Sequence, residues 1–284
     1  MKFCDINIRD PFVLVENGKY YLYGTRGSTA WTSATGLDVY VSEDLENWSE
    51  AVECFAVPEG FWANKEVWAP EVHKYKDKFY MFVSLRSDTR NRATQILRAD
   101  TPEGPFLPFT DGPVTPEEWM CLDGTFYVDE NGKPYIVFCH EWVQCTDGEI
   151  HAMPLTDDLS ASAGEPILLF KASEPFWADK SRDKYITDGP FIYRTKGGKL
   201  LMIWSTFTQS GYTQAIAVSD SGKVDGEWIH QKPLFDKDGG HGMIFDDYNG
   251  RKYLILHSPN ENPLERPVLI EIEEKDDMLY VKEN

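Results

Sequence analysis

Five segments of this chain share one pattern, in which an acidic residue or a histidine precedes an apolar strand that turns into a second, aromatic-rich strand. The leading residues are Asp10, Glu71, Asp123, Asp188 and His241, spaced by 61, 52, 65 and 53 positions. Self-similarity at a period of about 50 residues is typical of propellers and solenoids. The repeat constrains the fold strongly, because radial repetition would bring the five leading residues to one axis.

Short turn signals divide each repeat into a β-hairpin. Two β-prone runs that flank an Asn-Gly or Gly-Gly pair are a strong signal for a hairpin. A third strand follows each hairpin, and the segments after Trp48, Pro105 and Trp228 can supply a fourth. The predicted turns are Asn17-Gly18, Asn131-Gly132, Gly197-Gly198, Asn249-Gly250 and the weaker Lys76-Asp77.

Repeated four-stranded sheets without competing helical periodicity predict an all-β protein. We therefore expect a five-bladed β-propeller with four-stranded antiparallel blades. The sequence contains no Pro/Ser-rich linker and no low-complexity run that would divide it. One domain is predicted over residues 1–284, a length that all-β folds commonly reach as a single domain.

Composition and charge exclude several classes of partner. The chain has 47 acidic and 28 basic residues and a net charge of −19. This balance argues against nucleic acid or an anionic membrane surface as a partner, because neutralising phosphates requires clustered Lys and Arg. No uncharged run of 18 residues is present to span a bilayer. The oligomeric state is left open by these features.

The cysteines and the N-terminal sequence predict a cytoplasmic protein. Five cysteines form an odd number, and no CxxC pair of the kind that binds metals is present. This pattern fits a reducing compartment better than a disulfide framework. The first residues enter the first repeat without the apolar segment of a signal peptide.

Hairpin geometry places a second set of residues beside the five leading ones. In an antiparallel pair the start of the first strand lies next to the end of the second strand. We therefore expect one mouth of the propeller to collect acids, arginines, histidines and aromatic residues. Two carboxyl groups in such a mouth could cleave an acetal, one as acid and one as base or nucleophile. The residues predicted to join the leading ones are Arg26, Arg86, Glu141, Trp142, Thr206, Phe207 and His257.

Five short motifs, in this order and over nearly the whole chain, resemble glycoside hydrolase family 43. The resemblance implies a five-bladed propeller with inverting hydrolysis of arabinose- and xylose-containing glycans. It implies no required cofactor, and an oligosaccharide as substrate. The motifs are Arg9-Asp10-Pro11-Phe12-Val13, Trp68-Ala69-Pro70-Glu71-Val72, Leu122-Asp123-Gly124-Thr125-Phe126, Asp188-Gly189-Pro190-Phe191 and Gly240-His241-Gly242.

The resemblance assigns catalytic roles to three carboxyl groups. It implies that Asp10 is the general base that activates water and that Asp123 tunes the pKa of the acid and orients it. The family's general acid is usually the Glu of a Glu-Gly-Pro motif, and this position is Asp188 here. Three explanations stay open: Asp188 is a shortened acid, Glu141 replaces it as the acid, or the protein has lost hydrolysis and binds sugars only.

Other residues are candidates for binding the substrate or a metal. The family's histidine at the propeller axis often lies near a hydrated calcium ion, so His241 is a candidate for a structural Ca²⁺ site. The chain has no carboxylate-rich loop of the EF-hand kind. The candidates for contacts with the sugar are Trp68, Glu71, Arg26, Arg86, Trp142, Phe207, His257 and Arg266.

We therefore predict a glycosidase that acts on chain ends or short oligosaccharides, an α-L-arabinofuranosidase first and a β-xylosidase second. The alternatives are a non-catalytic carbohydrate-binding propeller, another five-bladed sugar enzyme such as a fructan hydrolase or mannoside phosphorylase, and a protein-interaction propeller. A phosphorylase would need cations in the mouth, for which Arg26, Arg86 and His257 are candidates. WD40-type signatures are absent from the sequence, which disfavours the interaction propeller.

Overall fold

The computed structural model describes residues 1–282 and confirms the predicted five-bladed β-propeller. Five antiparallel sheets of four strands each follow one another along the chain, and each sheet is one blade. A 3₁₀ helix at Phe3–Asp5 and one short α-helix, α1 at Trp142–Cys145, are the helical elements among these residues. None of the helices in this part of the chain is long and apolar enough to cross a membrane.

The strands within each blade are hydrogen-bonded in chain order, and the first strand of each blade lies nearest the propeller axis. The strands are β1 (Ile8–Glu16), β2 (Lys19–Arg26), β3 (Gly36–Ser42) and β4 (Val52–Ala56) in blade 1; β5 (Lys65–Tyr75), β6 (Lys78–Arg86), β7 (Ala93–Ala99) and β8 (Leu107–Pro108) in blade 2; β9 (Cys121–Val128), β10 (Pro134–His140), β11 (Glu149–Pro154) and β12 (Ile167–Lys171) in blade 3; β13 (Asp188–Arg194), β14 (Leu200–Thr208), β15 (Gly211–Ser219) and β16 (Trp228–His230) in blade 4; and β17 (Gly240–Asp246), β18 (Lys252–Ser258), β19 (Arg266–Lys275) and β20 (Met278–Val281) in blade 5.

Local turn chemistry explains the hairpins. Asn17 and Gly18 both have positive φ, 51° and 80°, which is the geometry of a tight turn that matches strand twist. The weaker signal at Lys76 and Asp77 adopts the same geometry, with φ of 46° and 64°. Both turns join the first two strands of their blades, as predicted.

Apolar side chains on both faces of the central strands pack between neighbouring blades. Leu22, Met81, Ile136, Met202 and Leu254 lie on the second strands of the five blades and are fully buried. Strands buried on both faces are continuous apolar runs rather than alternating ones. The core is therefore a ring of interfaces between blades.

The ring closes by contacts between blade 1 and blade 5, since each blade is built from its own stretch of chain. The Asn7 side chain donates hydrogen bonds to the carbonyl oxygens of Pro263 and Glu265, at 3.0 and 2.9 Å. Arg9 pairs with the buried Glu265 carboxylate at 2.5 Å. Asn7 and Arg9, at the start of blade 1, and the segment before β19 thus hold the two ends of the ring together.

Each inner strand contains a bulge beside the axis, and the residue at its centre has positive φ. A bulge bends a strand and redirects side chains, here at the axis where the blades meet. The five central residues are Asp10 (φ 51°), Ala69 (47°), Asp123 (57°), Gly189 (45°) and His241 (52°).

The bulge centres show which residues of the five repeats are structurally equivalent, and they differ from the alignment predicted from the sequence. Glu71 lies two residues after the bulge centre of blade 2, and Asp188 lies one residue before that of blade 4. Only Asp10 and Asp123 are acids at the equivalent position. The expectation of an acid at one position in four of the five blades was wrong, because the residue at the bulge centre is Ala69 in blade 2 and Gly189 in blade 4.

The backbone N–H at four of the five bulge centres is held by a side chain of the preceding blade. Thr25, Ser84, Ser205 and His257 accept these hydrogen bonds at 2.7 to 3.1 Å. In blade 3 the corresponding position is Cys139, which faces Leu122 across the strands. The bonds run from Ala69 to Thr25, from Asp123 to Ser84, from His241 to Ser205 and from Asp10 to His257.

Candidate active site

A cavity of about 330 Å³ opens at the axis on the side where the inner strands begin. Three of the predicted catalytic carboxyl groups, those of Asp10, Asp123 and Asp188, line it together with Glu141 and His241. The propeller thus brings acids from blades 1, 3 and 4 into one space, as the sequence predicted.

Asp10 is held by three neighbours, of which Thr25 and His241 favour its ionised form. The Thr25 hydroxyl donates to Asp10 Oδ2 at 2.6 Å, and His241 Nδ1 lies 3.2 Å from Asp10 Oδ1. His257 Nδ1 accepts the Asp10 backbone N–H at 3.1 Å, and Nε2 of the same ring faces Asn260 Oδ1 at 3.1 Å. Burial lowers the pKa of His257 to about 3, so this imidazole is neutral.

Asp123 connects the bulges of blades 3 and 4. Its Oδ2 accepts the backbone N–H of Gly189 at 2.9 Å, taking the role that a hydroxyl or imidazole of the preceding blade has elsewhere. Cys139, at that equivalent position, is fully buried. Because Gly189 follows Asp188 directly, this bond fixes the position of Asp123 relative to the proposed acid.

The three carboxyl groups differ in the direction of their pKa shifts. Burial raises the pKa of Asp10, but the charges of His241 and Arg9, together with the hydrogen bond from Thr25, outweigh it, so the pKa lies below the usual value. Burial and the charge of Asp123 raise the pKa of Asp188 to about 7. Burial and the charge of Asp10 raise the pKa of Asp123 well above its usual range. Below about pH 7 the cavity therefore holds the ionised carboxylate of Asp10 beside the protonated acids Asp123 and Asp188, and so contains both forms that acid–base catalysis requires.

Tyr212 contacts the carboxyl group of Asp188, a contact that the sequence did not reveal. Its hydroxyl donates to Asp188 Oδ2 at 3.1 Å, and its ring stacks on His257 at 5.5 Å between centroids. Burial raises the pKa of Tyr212 well above 10, so the hydroxyl keeps its proton. The bond orients the shorter Asp side chain toward the cavity.

The substitution Tyr212→Phe should lower kcat about 2- to 10-fold and move the alkaline limb of the pH profile to higher pH. One hydrogen bond contributes about 0.5 to 1.5 kcal/mol, and this one favours the ionised form of Asp188. Its loss therefore raises the pKa of Asp188 further. Tyr193→Phe is the matched control, because Tyr193 lies in the same blade and donates to Glu274 at 2.6 Å, outside the cavity. An unchanged pH profile in Tyr212→Phe would contradict this role.

Glu141 lies in the cavity wall but is engaged in a buried ion pair. Arg92 Nη1 contacts Glu141 Oε2 at 2.5 Å, and Arg92 Nη2 contacts Glu66 Oε2 at 2.5 Å. The same guanidinium lies 4.1 Å over the ring of Trp68. Charge-assisted bonds of this kind are among the stronger hydrogen bonds in proteins. Glu141 is therefore held against Arg92 as part of the cavity wall.

Aromatic side chains form the rim of the cavity. The predicted Trp68, Trp142 and Phe207 line it, and Trp31 joins them from the loop after β2. Trp31 is 54% exposed and meets Trp68 edge to face, with ring centroids 5.1 Å apart. An exposed tryptophan at a cavity offers an apolar face to a ligand. Trp31 lies in the loop between β2 and β3, where no turn signal or repeat motif marks it in the sequence.

Five of the predicted substrate contacts do not line this cavity. Arg26 pairs with Asp38 at 2.5 Å and Glu53 at 2.9 Å within blade 1. Arg86 lies 3.3 Å from Glu66. Arg266 donates hydrogen bonds to the carbonyl oxygens of Cys4, Pro263 and Glu265. Glu71 lies 3.0 Å from His73. His257 is fully buried beneath Asp10.

The axial region beneath His241 does not fit a calcium ion with a full oxygen shell. A void of about 10 Å³ lies there, and its lining contains Asp10, Glu71 and His241 among otherwise apolar residues. This volume holds about one water molecule, whereas Ca²⁺ takes six to eight oxygen ligands. His241 Nδ1 is directed at Asp10 and Asp123, at 3.2 and 3.7 Å. In this structure the imidazole of His241 therefore contacts the two carboxyl groups.

The fold and the site together define a class of protein: a five-bladed propeller with a group of carboxyl side chains in one axial cavity and an aromatic rim. Such a site is suited to hydrolysis of a glycosidic bond. The family model for glycosyl hydrolases family 43 matches residues 4–277. The chain belongs to this family and is a glycoside hydrolase.

Named relatives of the chain include enzymes that act on arabinan and xylan. A solved endo-arabinase from Bacteroides thetaiotaomicron is 39% identical, with a TM-score of 0.89 over 97% of this chain and 98% of that one. An endo-1,4-beta-xylanase structure from the same organism is 26% identical, with a TM-score of 0.82 over 98% and 95% of the two chains. An extracellular exo-alpha-(1->5)-L-arabinofuranosidase from Cellvibrio japonicus is 22% identical over 89% of this chain and 79% of its own length.

Proposed function

We propose that this enzyme removes terminal arabinofuranosyl or xylosyl residues from plant-type oligosaccharides with inversion of configuration. Asp10 is the general base, Asp188 the general acid, and Asp123 the group that tunes and positions Asp188. One observation carries this proposal: the pKa values of Asp10 and Asp188 shift in opposite directions within one cavity. Two carboxyl groups whose pKa values are shifted in opposite directions are the usual sign of an acid and a base.

The reaction follows from the ionisation of these groups. The Asp10 carboxylate removes a proton from a water molecule that attacks the anomeric carbon. The bond from that carbon to the leaving oxygen breaks, and the oxygen takes the proton of Asp188. The Tyr212 hydroxyl stabilises the carboxylate that forms on Asp188. Attack by water on the face opposite the leaving group inverts the anomeric centre.

The cavity supports a small substrate. Its volume of about 330 Å³ is at the lower end of the range of about 300 to 1,000 Å³ for small-molecule sites. Trp31 and Trp68 form one side of the entrance, where the neighbouring sugar of an oligosaccharide would lie. Arabinofuranosyl substrates rank first and xylosyl substrates second, in line with the relatives described above.

Two of the alternative functions lose support from the geometry. A phosphorylase needs free cations to hold phosphate, yet Arg26 and Arg86 lie outside the cavity and His257 is buried and neutral. Arg9 lines the cavity but is paired with Glu265. A purely sugar-binding protein would not require a buried acid with a pKa raised to about 7, as Asp188 has.

A panel of aryl glycosides tests the proposal most directly. We expect release of aryl alcohol from α-L-arabinofuranoside, then β-D-xyloside, and little from hexosides. NMR of the first product formed should show the inverted anomer. Activity on no pentoside, with sugar binding retained in calorimetry, would favour the carbohydrate-binding alternative instead.

We also propose that the enzyme works in a reducing compartment on imported oligosaccharides. All five cysteines are free thiols, and Cys54, Cys121 and Cys139 are buried. Fractionation of the native host, with an antibody against the chain, should find the protein in the cytoplasm. Recovery from the medium would overturn this part without affecting the catalytic assignment.

A further inference from the structure

A second cluster of titratable side chains lies in blade 3, outside the cavity. It consists of His140 at the end of β10 and of Glu149 and His151 on β11, and we call it the His-Glu-His cluster. Glu149 Oε2 lies 3.0 Å from His140 Nδ1 and 2.9 Å from His151 Nε2. Two imidazole nitrogens therefore converge on one carboxylate oxygen.

Hydrogen bonds around Gln144 determine the tautomer of His140. The Met120 backbone N–H donates to Gln144 Oε1 at 2.7 Å, and Gln144 Nε2 donates to the Glu118 carbonyl at 2.9 Å. The atom that faces His140 Nε2 at 2.9 Å is thus an oxygen, and Nε2 must donate to it. In the neutral ring the lone pair of Nδ1 then points at Glu149 Oε2, which is also an acceptor.

His151 directs a second imidazole nitrogen at the same carboxylate oxygen. It is 5% exposed, and its Nδ1 has no hydrogen-bond partner. Nε2 is aimed at the same oxygen of Glu149. A cation placed between the two imidazoles and the carboxylate would contact His140 Nδ1, Glu149 Oε2 and His151 Nε2 at once.

The surroundings hold these ligand atoms in place. Lys171 Nζ binds the other carboxylate oxygen of Glu149, Oε1, at 2.8 Å, which leaves Oε2 for the cluster. Trp119 stacks on His140 with ring centroids 4.4 Å apart. Contacts of this kind hold the ligand side chains in place.

We propose that the His-Glu-His cluster binds a divalent transition metal of the Zn²⁺ class through His140 Nδ1, Glu149 Oε2 and His151 Nε2. Two imidazoles and a carboxylate suit Zn²⁺, whereas Ca²⁺ and Mg²⁺ prefer oxygen ligands only. The three atoms lie within 4.8 Å of one another, close enough for bonds of about 2.0 to 2.2 Å after small side-chain shifts. A water molecule would complete the tetrahedron.

The metal would also act on the wall of the active site. His140 precedes Glu141 and Trp142, which line the cavity, and its Nε2 bonds Gln144 in α1. Fixing the imidazole therefore fixes α1. The site is proposed to be structural, since it shares no residue with the acid–base pair.

The test uses the full chain, treated with a chelator, in a Cys4→Ser background that removes an exposed thiol. Calorimetric titration with Zn²⁺ should show one site per chain with a Kd in the micromolar range or tighter. Titration with Co²⁺ should give the intense visible absorption of tetrahedral coordination. At a Zn²⁺ concentration about 100 times Kd, the melting temperature should rise by several degrees.

Three variants make the result specific. His151→Gln and Glu149→Gln should each weaken Zn²⁺ binding at least tenfold, with His140→Gln as a substitute if either fails to fold. His73→Gln is the matched control, because His73 pairs with Glu71 at 3.0 Å with the same two-residue spacing but without a second histidine. It should bind Zn²⁺ like the parent. Absence of a saturable site, or binding that survives His151→Gln, would overturn the proposal.

Discussion

Substitution of Asp10 by asparagine should lower kcat/KM by about 10³-fold on every substrate, whatever its leaving group. General acid–base catalysis contributes about 10²- to 10⁴-fold, and an amide cannot accept a proton from water. The Asn side chain keeps the shape of Asp and an oxygen to accept the Thr25 hydrogen bond. The loss should therefore appear in kcat while the melting temperature stays close to that of the wild type.

The leaving-group test makes this prediction specific to the base. Asp10 acts on water rather than on the departing oxygen. The kcat/KM of Asp10→Asn should therefore fall by the same factor for aryl glycosides with acidic and with weakly acidic phenols. Sugar binding, measured by calorimetry, should persist in the variant. If Asp10→Asn kept more than a tenth of wild-type activity, the base would have to be another group.

Substitution of Asp188 by asparagine should have an effect that depends on the leaving group. We expect about 10³-fold lower kcat on natural oligosaccharides, whose leaving alkoxide requires a proton, and less than a tenfold loss on a dinitrophenyl glycoside. In the wild type the rate should fall as the pH rises through about 7, because Asp188 then loses its proton. This alkaline limb should be absent from Asp188→Asn assayed with the dinitrophenyl substrate.

Glu141→Gln is the matched control for the acid. It removes a carboxyl charge from the same cavity, but that carboxylate is paired with Arg92 at 2.5 Å. Any decrease in the kcat of Glu141→Gln should be similar for good and poor leaving groups. Should Glu141→Gln instead show the leaving-group dependence while Asp188→Asn does not, Glu141 would be the acid.

A shortened acid is workable here because other groups hold it. Asp188 begins β13 directly before a bulge whose Gly189 N–H is bound by Asp123 at 2.9 Å. Tyr212 contacts its carboxyl from β15. The position of the carboxyl is thus set from two sides, so the loss of one methylene relative to Glu is compatible with a fixed orientation.

The fold was predictable because its determinants are local and repeated. Turn pairs such as Asn17-Gly18 and apolar runs of strand length mark every hairpin, and five copies of a hairpin require a radial arrangement. Of the site, Asp10, Asp123 and Asp188 were found through short motifs at the strand starts. The side chains that hold them came from distant parts of the chain, and nothing in their local sequence marked Tyr212 or Trp31.

Some residues predicted at the mouth lie elsewhere, for physical reasons that a sequence pattern does not contain. Arg26 was expected at the mouth but finds Asp38 and Glu53 within its own blade, where ion pairs satisfy its charge. Glu71 was aligned with the axial acids, but Ala69 occupies the equivalent position in blade 2, so Glu71 lies two residues further along the strand and outside the cavity.

By itself the sequence determined the number of blades, the strand order and the identity of the three central acids, since period, turn residues and motifs are properties of neighbouring positions. Tertiary structure alone decided which of these acids is ionised and which is protonated. The pKa of a buried carboxyl depends on the charges and dipoles around it. For Asp10 and Asp188 those neighbours come from other blades, brought close only when the ring closes.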